Sequence, residues 1–268
     1  MSFLKQITSL FFYILSSLVV NSQNLELYYP FNGNANDASS NGYNATVYGA
    51  SLTADRLGTP NSAYFFNGLS DYIDSQASFD LPQRTVSIWI QPFNPSFQNI
   101  STVATQDDSQ YNYGQIVIRC DESKWRLRAG GEQVKFETPA LDTNWTHICL
   151  VRDSSISKYY INGVLLSTGV SGSVMSGSGS GYPYFLLGIG RRLNEQYFEG
   201  KIDDVRIYSS ALTNEEIYNL YSYNSLISIT DKINSTQSLS VVHSLENHLL
   251  KIEVKNHDFS SFRITNSM

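Results

Sequence analysis

The chain has 268 residues, 41% of them hydrophobic and 16% charged, with a formal net charge of −6. That length accommodates one full-sized β domain plus an appendage, with a core that needs no disulfide staples. The acidic balance excludes a polyanion-binding surface, because phosphate neutralisation by Lys and Arg dominates nucleic-acid affinity, so no nucleic-acid partner is expected.

Residues 1–22 carry a lone Lys5, an uncharged run from Ile7 to Val20 and a small-residue end at Asn21-Ser22. This is the pattern of a secretory signal peptide cleaved after Ser22, which predicts a secreted or cell-surface protein with no membrane span after processing. The alternative is a membrane anchor, which needs about 20 apolar residues.

From Leu25 to Phe31 the residues Leu25, Leu27, Tyr29 and Phe31 alternate onto one face, giving a first strand that Pro30 and Gly33 halt. The loop from Asn32 to Tyr43, N-G-N-A-N-D-A-S-S-N-G-Y, is dense in turn formers and oxygen donors, and Asp37 is its one charge. It reads either as a hard-cation site or as an ordinary Asx-rich turn. Short strand patterns follow at 46–48, 63–66, 72–74, 86–90, 103–104, 115–120, 125–129, 134–137, 145–151, 158–161 and 185–188, each bounded by turn residues. Many short strands with almost no helical periodicity predict an all-β, two-sheet sandwich or barrel. Residues 169–181 form a Gly/Ser-rich stretch, read as a surface loop.

The stretch Phe198 to Tyr208, F-E-G-K-I-D-D-V-R-I-Y, is the strand around which the rest is organised. Strict alternation puts Asp203 on the inward face with Val205 and Ile207, and Asp204 on the other with Arg206 and Tyr208. A buried carboxylate without a partner is costly, so Asp203 needs a cation, a set of N–H donors or a metal opposite it. Thr213-Asn214-Glu215-Glu216 then opens one short helix with a capping box, and Ile217, Leu220 and Tyr221 fall at helical spacing. From Ser225 the texture becomes a Ser/Asn/Thr-rich connector with strand patterns at 249–254 and 262–265. The organisation is therefore 1–22 signal peptide, 23–224 β domain, and 225–268 linker with a small β-prone tail.

Cys120 and Cys149 lie in strand patterns and form a disulfide if those strands meet; as free thiols they are small buried hydrophobes. Of four histidines, His147 alone lies in the sandwich, where a structural hydrogen bond is the expected role. Tyr111 and Tyr113, and Tyr182 and Tyr184, sit in or beside loops where their rings can stack on sugars, with Arg119, Trp125, Arg126, Arg128, Arg191 and Arg192 adding contacts, although Arg191-Arg192 also read as a solvated turn. The competing role for these aromatics is core filling.

Several blocks in order resemble one family. They are L-Y-Y-P-F-N-G-N-A-N-D-A-S-S-N-G from Leu27, S-A-Y-F-F-N-G-L-S-D-Y-I from Ser62, T-V-S-I-W-I-Q-P from Thr85, W-T-H-I-C-L-V-R-D from Trp145, Y-Y-I-N-G from Tyr159 and the stretch from Phe198 to Ile217. Together they resemble the laminin-G-like, concanavalin A-like jelly-roll domains of secreted bacterial proteins. The resemblance implies two antiparallel sheets packed face to face, with first and last strands adjacent. It also implies a structural calcium there, with Asp203 as a ligand and Asp37 and Asn32 as partners. The tail from Leu249 resembles part of the sorting domain of type IX secretion substrates, without its Asn-Pro opening.

Such a fold hosts binding modules, adhesion domains and glycosidases. Glycosidases on this sandwich resemble one another in an E-x-D-x-E strand, which the chain lacks, and hydrolysis needs a facing pair of carboxyl groups. The expectation is a non-catalytic module that binds an extracellular glycan or other ligand; the alternatives are a surface protein-adhesion domain and a divergent glycoside hydrolase.

Overall fold

The computed structural model describes residues 24–79, 81–93, 101–106, 116–121, 124–128, 134–136, 142–154, 156–170, 184–190, 196–222, 240–246, 249–256 and 259–264. Strands β1 (Leu25–Tyr29), β2 (Thr46–Tyr48), β3 (Ser51–Thr53), β4 (Ala63–Asn67), β5 (Tyr72–Asp74), β6 (Gln83–Pro92) and β7 (Ser101–Gln106) come first. Next are β8 (Ile116–Asp121), β9 (Lys124–Arg128), β10 (Val134–Phe136), β11 (Thr146–Asp153), β12 (Ile156–Ile161) and β13 (Val164–Val170). The domain closes with β14 (Leu186–Leu187), β15 (Ile189–Gly190), β16 (Gln196–Tyr197) and β17 (Glu199–Tyr208), followed by helix α1 at 214–222.

Two antiparallel sheets hold these strands. The first runs β13-β12-β11-β6-β17-β4-β3 with β1 also on β17; the second runs β10-β9-β8-β7-β14-β5-β2. The arrangement is the antiparallel jelly-roll sandwich expected from the sequence. The organising role of β17 is visible in its pairing: β6 lines one edge over most of its length, while β4 and then β1 share the other. First and last strands of the domain are thus adjacent, with Tyr29 opposite Val205.

Alternation directs one face of each sheet inward. Leu27, Val86, Ile88, Ile90, Ile148, Leu150, Ile202, Val205 and Ile207 from the first sheet meet Ile73, Ile116, Ile118, Trp125, Leu127 and Leu187 from the second in one core. Burying a side chain of this size contributes about 1.5–3 kcal/mol, so this shared core is what holds the sheets together. A second cluster lies on the outer face of the first sheet, where Ile217 and Leu220 of α1 cover Cys149, Val151, Tyr160 and Tyr208. The capping box forms: the Thr213 backbone N–H donates to Glu216 Oε2 at 2.7 Å, and the Glu216 N–H donates to Thr213 Oγ1 at 3.3 Å.

Three local features bear on the sequence reading. Strand β13 extends through Gly169 and Val170, because pairing with Ser157 and Ile156 recruits residues whose composition reads as loop. The β12–β13 turn is Asn162-Gly163, both at positive φ (50° and 76°), the conformation a two-residue hairpin requires. The cysteines do not pair: Cys120 on β8 faces the inter-sheet core, Cys149 on β11 faces α1, and both are free and buried.

Residues 222–268 form a separate compact unit. It contains β18 (Ser240–Glu246), β19 (Leu249–Asn256) and β20 (Phe259–Ile264) in an antiparallel meander, with Val242 opposite Glu253 and Glu253 opposite Arg263.

Candidate functional site

The adjacent acids of β17 do not alternate. Asp204 sits at φ +49°, and the β17–β6 register shifts between Asp203 and Arg206, so an extra residue is inserted into the strand at this point. The bulge resets the pattern: Ile202 and Val205 both face the core, and both carboxylates lie outside it. Each accepts from one guanidinium, Arg56 Nη1 reaching Asp203 Oδ2 at 2.6 Å and Arg56 Nη2 reaching Asp204 Oδ2. Arg206 Nη2 lies 3.0 Å from Asp204 Oδ1, and the Tyr28 hydroxyl donates to the same oxygen at 2.9 Å. The Asp204 N–H donates to Asp203 Oδ1 at 2.7 Å.

Aromatic rings enclose this quartet. The Arg56 guanidinium lies 4.5 Å over Trp89 and that of Arg206 lies 4.1 Å over Tyr28. Trp89 in turn stacks on Tyr221 of α1 at 5.7 Å and packs against His147 at 5.3 Å. Two carboxylates face two guanidinium groups, so formal charge balances. Burial and the neighbouring Asp204 charge push the Asp203 carboxyl up against the opposing pull of Arg56. Burial acts the same way on Asp204, but Arg206 and Arg56 outweigh it and hold that carboxyl below its usual range.

Two carboxyls with opposed shifts are what general acid–base chemistry uses. Here the exposed fractions of the Asp203 and Asp204 side chains are 3% and 6%, and their oxygens are engaged by Arg56, Arg206 and Tyr28. A glycosidic oxygen has no access to either. The site is a clasp in which the Arg56 segment between β3 and β4 is tied to the β17 bulge.

The residues expected to hold calcium do not fit that ion. Asp37 spends its oxygens on its own loop: Oδ1 accepts the Tyr28 and Ser39 N–H groups, and Oδ2 accepts the Ser39 hydroxyl and the Tyr43 N–H, all within 2.9 Å. Four donors fill the acceptor capacity of a carboxylate. Burial works against ionisation of Asp37, but these donors prevail and its pKa is lowered. Asn32 is exposed, and Asp203 already has its cation in Arg56. The partner that Asp203 requires is therefore a side chain to which the sequence offered no pointer, since Arg56 lies in a loop.

His147 has the structural role expected. It is fully buried and Nε2 lies 2.8 Å from Ser87 Oγ. Burial first, then the charges of Arg206 and Arg56, push its imidazole down to about 3, so it is neutral at ordinary pH. Burial likewise pushes the Cys149 thiol up, which leaves it unreactive.

The outer face of the second sheet has different chemistry. Because Ile116, Ile118, Trp125 and Leu127 point inward, Arg119, Arg126 and Arg128 project outward from β8 and β9, with Arg119 directly opposite Arg126. Register carries a row across six strands from Arg128 to Val117, Thr105, Leu186, Asp74 and Thr46. The middle of this row is buried, Thr105 and Asp74 each at 2% exposure, while the arginines are half-buried. At the far edge Tyr48 and Tyr72 stand opposite one another.

Of the aromatic candidates, Trp125 is a core residue with 0% exposure and cannot contact a ligand; strand alternation sends it inward while its Arg neighbours go out. Arg119 does lie on the outer face, and Tyr184 is half-buried just before β14. Tyr111, Tyr113, Tyr182, Arg191 and Arg192 lie outside the described residues. Arg126 lies on the outer face beside Arg119, as a contact residue requires, whereas Asp74 and the Tyr48–Tyr72 pair were not singled out from sequence, although β2 and β5 were recognised as strands.

A family model described as the concanavalin A-like lectin/glucanases superfamily matches residues 66–218, more than half the chain. No curated protein matches. Among solved structures, domain 4 of AbnA, a GH43 extracellular arabinanase from Geobacillus stearothermophilus in complex with arabinotriose, is 23% identical with a TM-score of 0.53, over 74% of this chain and 98% of that domain. Trypanosoma rangeli sialidase in complex with sialic acid is 16% identical with a TM-score of 0.55, over 75% of this chain but 33% of the sialidase. The botulinum neurotoxin serotype D binding domain is 15% identical with a TM-score of 0.55, over 91% and 70%. At these identities the likeness shows the fold. The chain belongs to the concanavalin A-like lectin/glucanases superfamily.

Proposed function

We propose that this chain is a secreted, non-catalytic carbohydrate-binding module whose ligand lies on the outer face of the second sheet, stabilised by the Arg56 clasp where the family resemblance implies calcium. The observation that carries the reading is the cluster of half-buried arginines, Arg119, Arg126 and Arg128, on the outer side of β8 and β9, a face that the core does not use. Guanidinium forks and carboxylates are the groups that read sugar hydroxyls and acid substituents by paired hydrogen bonds. Domain 4 of AbnA supports the sugar class, since it is covered over nearly its whole length and was solved with arabinotriose. The burial of Asp203 and Asp204 supports binding over hydrolysis. Secretion rests on the signal-like residues 1–22; no helix among the described residues is long and apolar enough to cross a membrane.

A glycan array probed with the labelled protein tests this reading: selective binding that Arg119→Ala weakens supports it, and an array blank for the wild type contradicts it. A protein partner is the second reading, favoured by the edge strand β13, where Val164, Leu165 and Leu166 are 60%, 41% and 47% exposed.

A further inference from the structure

The second sheet ends at β2, whose most exposed side chain is Tyr48. Val47 packs against the core, so Tyr48 stands on the opposite face, directly across from Tyr72. The two rings are nearly parallel, 12° apart with centroids at 4.4 Å. Tyr72 therefore backs one face of the Tyr48 ring, and among the described residues no strand lies beyond β2 to cover the other; Tyr48 is 43% exposed. A cross-strand aromatic pair stabilises a sheet, but burying both rings would do so better than presenting one at the rim.

Polar groups surround the open ring. Thr46, two residues along β2, shares its face, and its Oγ1 accepts from Gln76 Nε2 at 2.6 Å. Burial, then Tyr48, Asp74 and Tyr197, raise the Tyr72 phenol. Tyr48 and Tyr72 belong to strands β2 and β5, so the ring is held by regular structure and loses little entropy when a ligand arrives.

We propose that Tyr48, backed by Tyr72 and flanked by Thr46 and Gln76, is a stacking platform for a neutral sugar ring at the open edge of the second sheet. The apolar C–H face of a pyranose or furanose lies on the exposed ring while its hydroxyls reach Gln76 and Thr46. This inference rests on the glycan-binding reading above and adds a subsite on the same face as the arginines.

Affinity electrophoresis of the full chain in gels containing arabinan, xylan, mixed-linkage glucan or galactan separates the two ideas. The expected result is retardation of the wild type by at least one neutral polysaccharide, an about tenfold weaker apparent affinity for Tyr48→Leu, and wild-type affinity for Tyr48→Phe, which keeps the ring. Circular dichroism melts of both variants confirm folding, as expected for a half-exposed rim residue. If the wild type is retarded and Tyr48→Leu is retarded equally, the platform is overturned while the binding function stands. If the wild type is retarded by no neutral polysaccharide, the platform is overturned whatever the glycan array shows.

Discussion

Asp203 and Asp204 are neighbours in sequence that hold one guanidinium, and the backbone of Asp204 at φ +49° makes this geometry available. Removing one partner of a buried ionic group strands the others, so Arg56→Ala is expected to lower unfolding free energy by about 3–5 kcal/mol in urea titration. The same clasp accounts for the metal behaviour. With Asp203 bound to Arg56 and Asp37 saturated by its loop, added calcium or EDTA is expected to leave the wild-type melting temperature unchanged, since only an ion bound to the folded state shifts it. A calcium-dependent rise that Asp203→Ala removes would show that the clasp has been misassigned.

His147 supplies a pH dependence at the same scale. Its folded pKa of about 3 lies below the ordinary value of 6.5, so between these limits the unfolded chain binds more protons. Stability attributable to His147 is complete above about pH 6.5 and is lost as pH falls, by about 1.4 kcal/mol per pH unit. Asp204, with a lowered carboxyl pKa, adds loss only at more acidic pH, and Asp203, with a raised one, has the opposite slope. The difference between wild type and His147→Gln isolates the imidazole: the variant is expected to lose less stability between pH 6.5 and pH 4.5, and parallel curves would rule the buried neutral state out.

Among the elements, legibility followed local pattern. Strands such as β5 and β8 were readable because turn residues bound them and their alternation is unbroken; β1 was readable too, but a register shift between Leu25 and Leu27 sends Leu25 to the cluster under α1 and not to the face of Leu27, Tyr29 and Phe31. β13 was not, because no strand pattern was read over 164–168, Gly169 opens a stretch read as loop, and only pairing with β12 makes them strand. The bulge in β17 escaped for a related reason: alternation assumes one residue per ladder step, and nothing in D-D-V marks an insertion. That error inverted the face of Asp203, whereas the need for a buried counter-charge survived because desolvation does not depend on which face is chosen. Helix α1 was legible from four residues, and it is testable there. Thr213→Ala removes the capping hydroxyl from the Glu216 N–H and is expected to cost about 1 kcal/mol, with a null effect meaning that packing of Ile217 and Leu220 alone sets the helix.

Across the whole molecule, the two sheet faces turned away from the core have divided roles. The outer face of the first sheet is consumed by the clasp, the aromatic stack and α1. The outer face of the second carries arginines at one end and an open tyrosine at the other. Fold was legible from the ordered motifs, but the site was not, because its residues are spread from Thr46 to Arg128 and meet only through register. The most direct test of the whole account is to incubate the protein with the polysaccharide that retards it and to count new reducing ends. The account predicts binding with no release above the buffer blank; turnover of reducing ends by purified protein would contradict it.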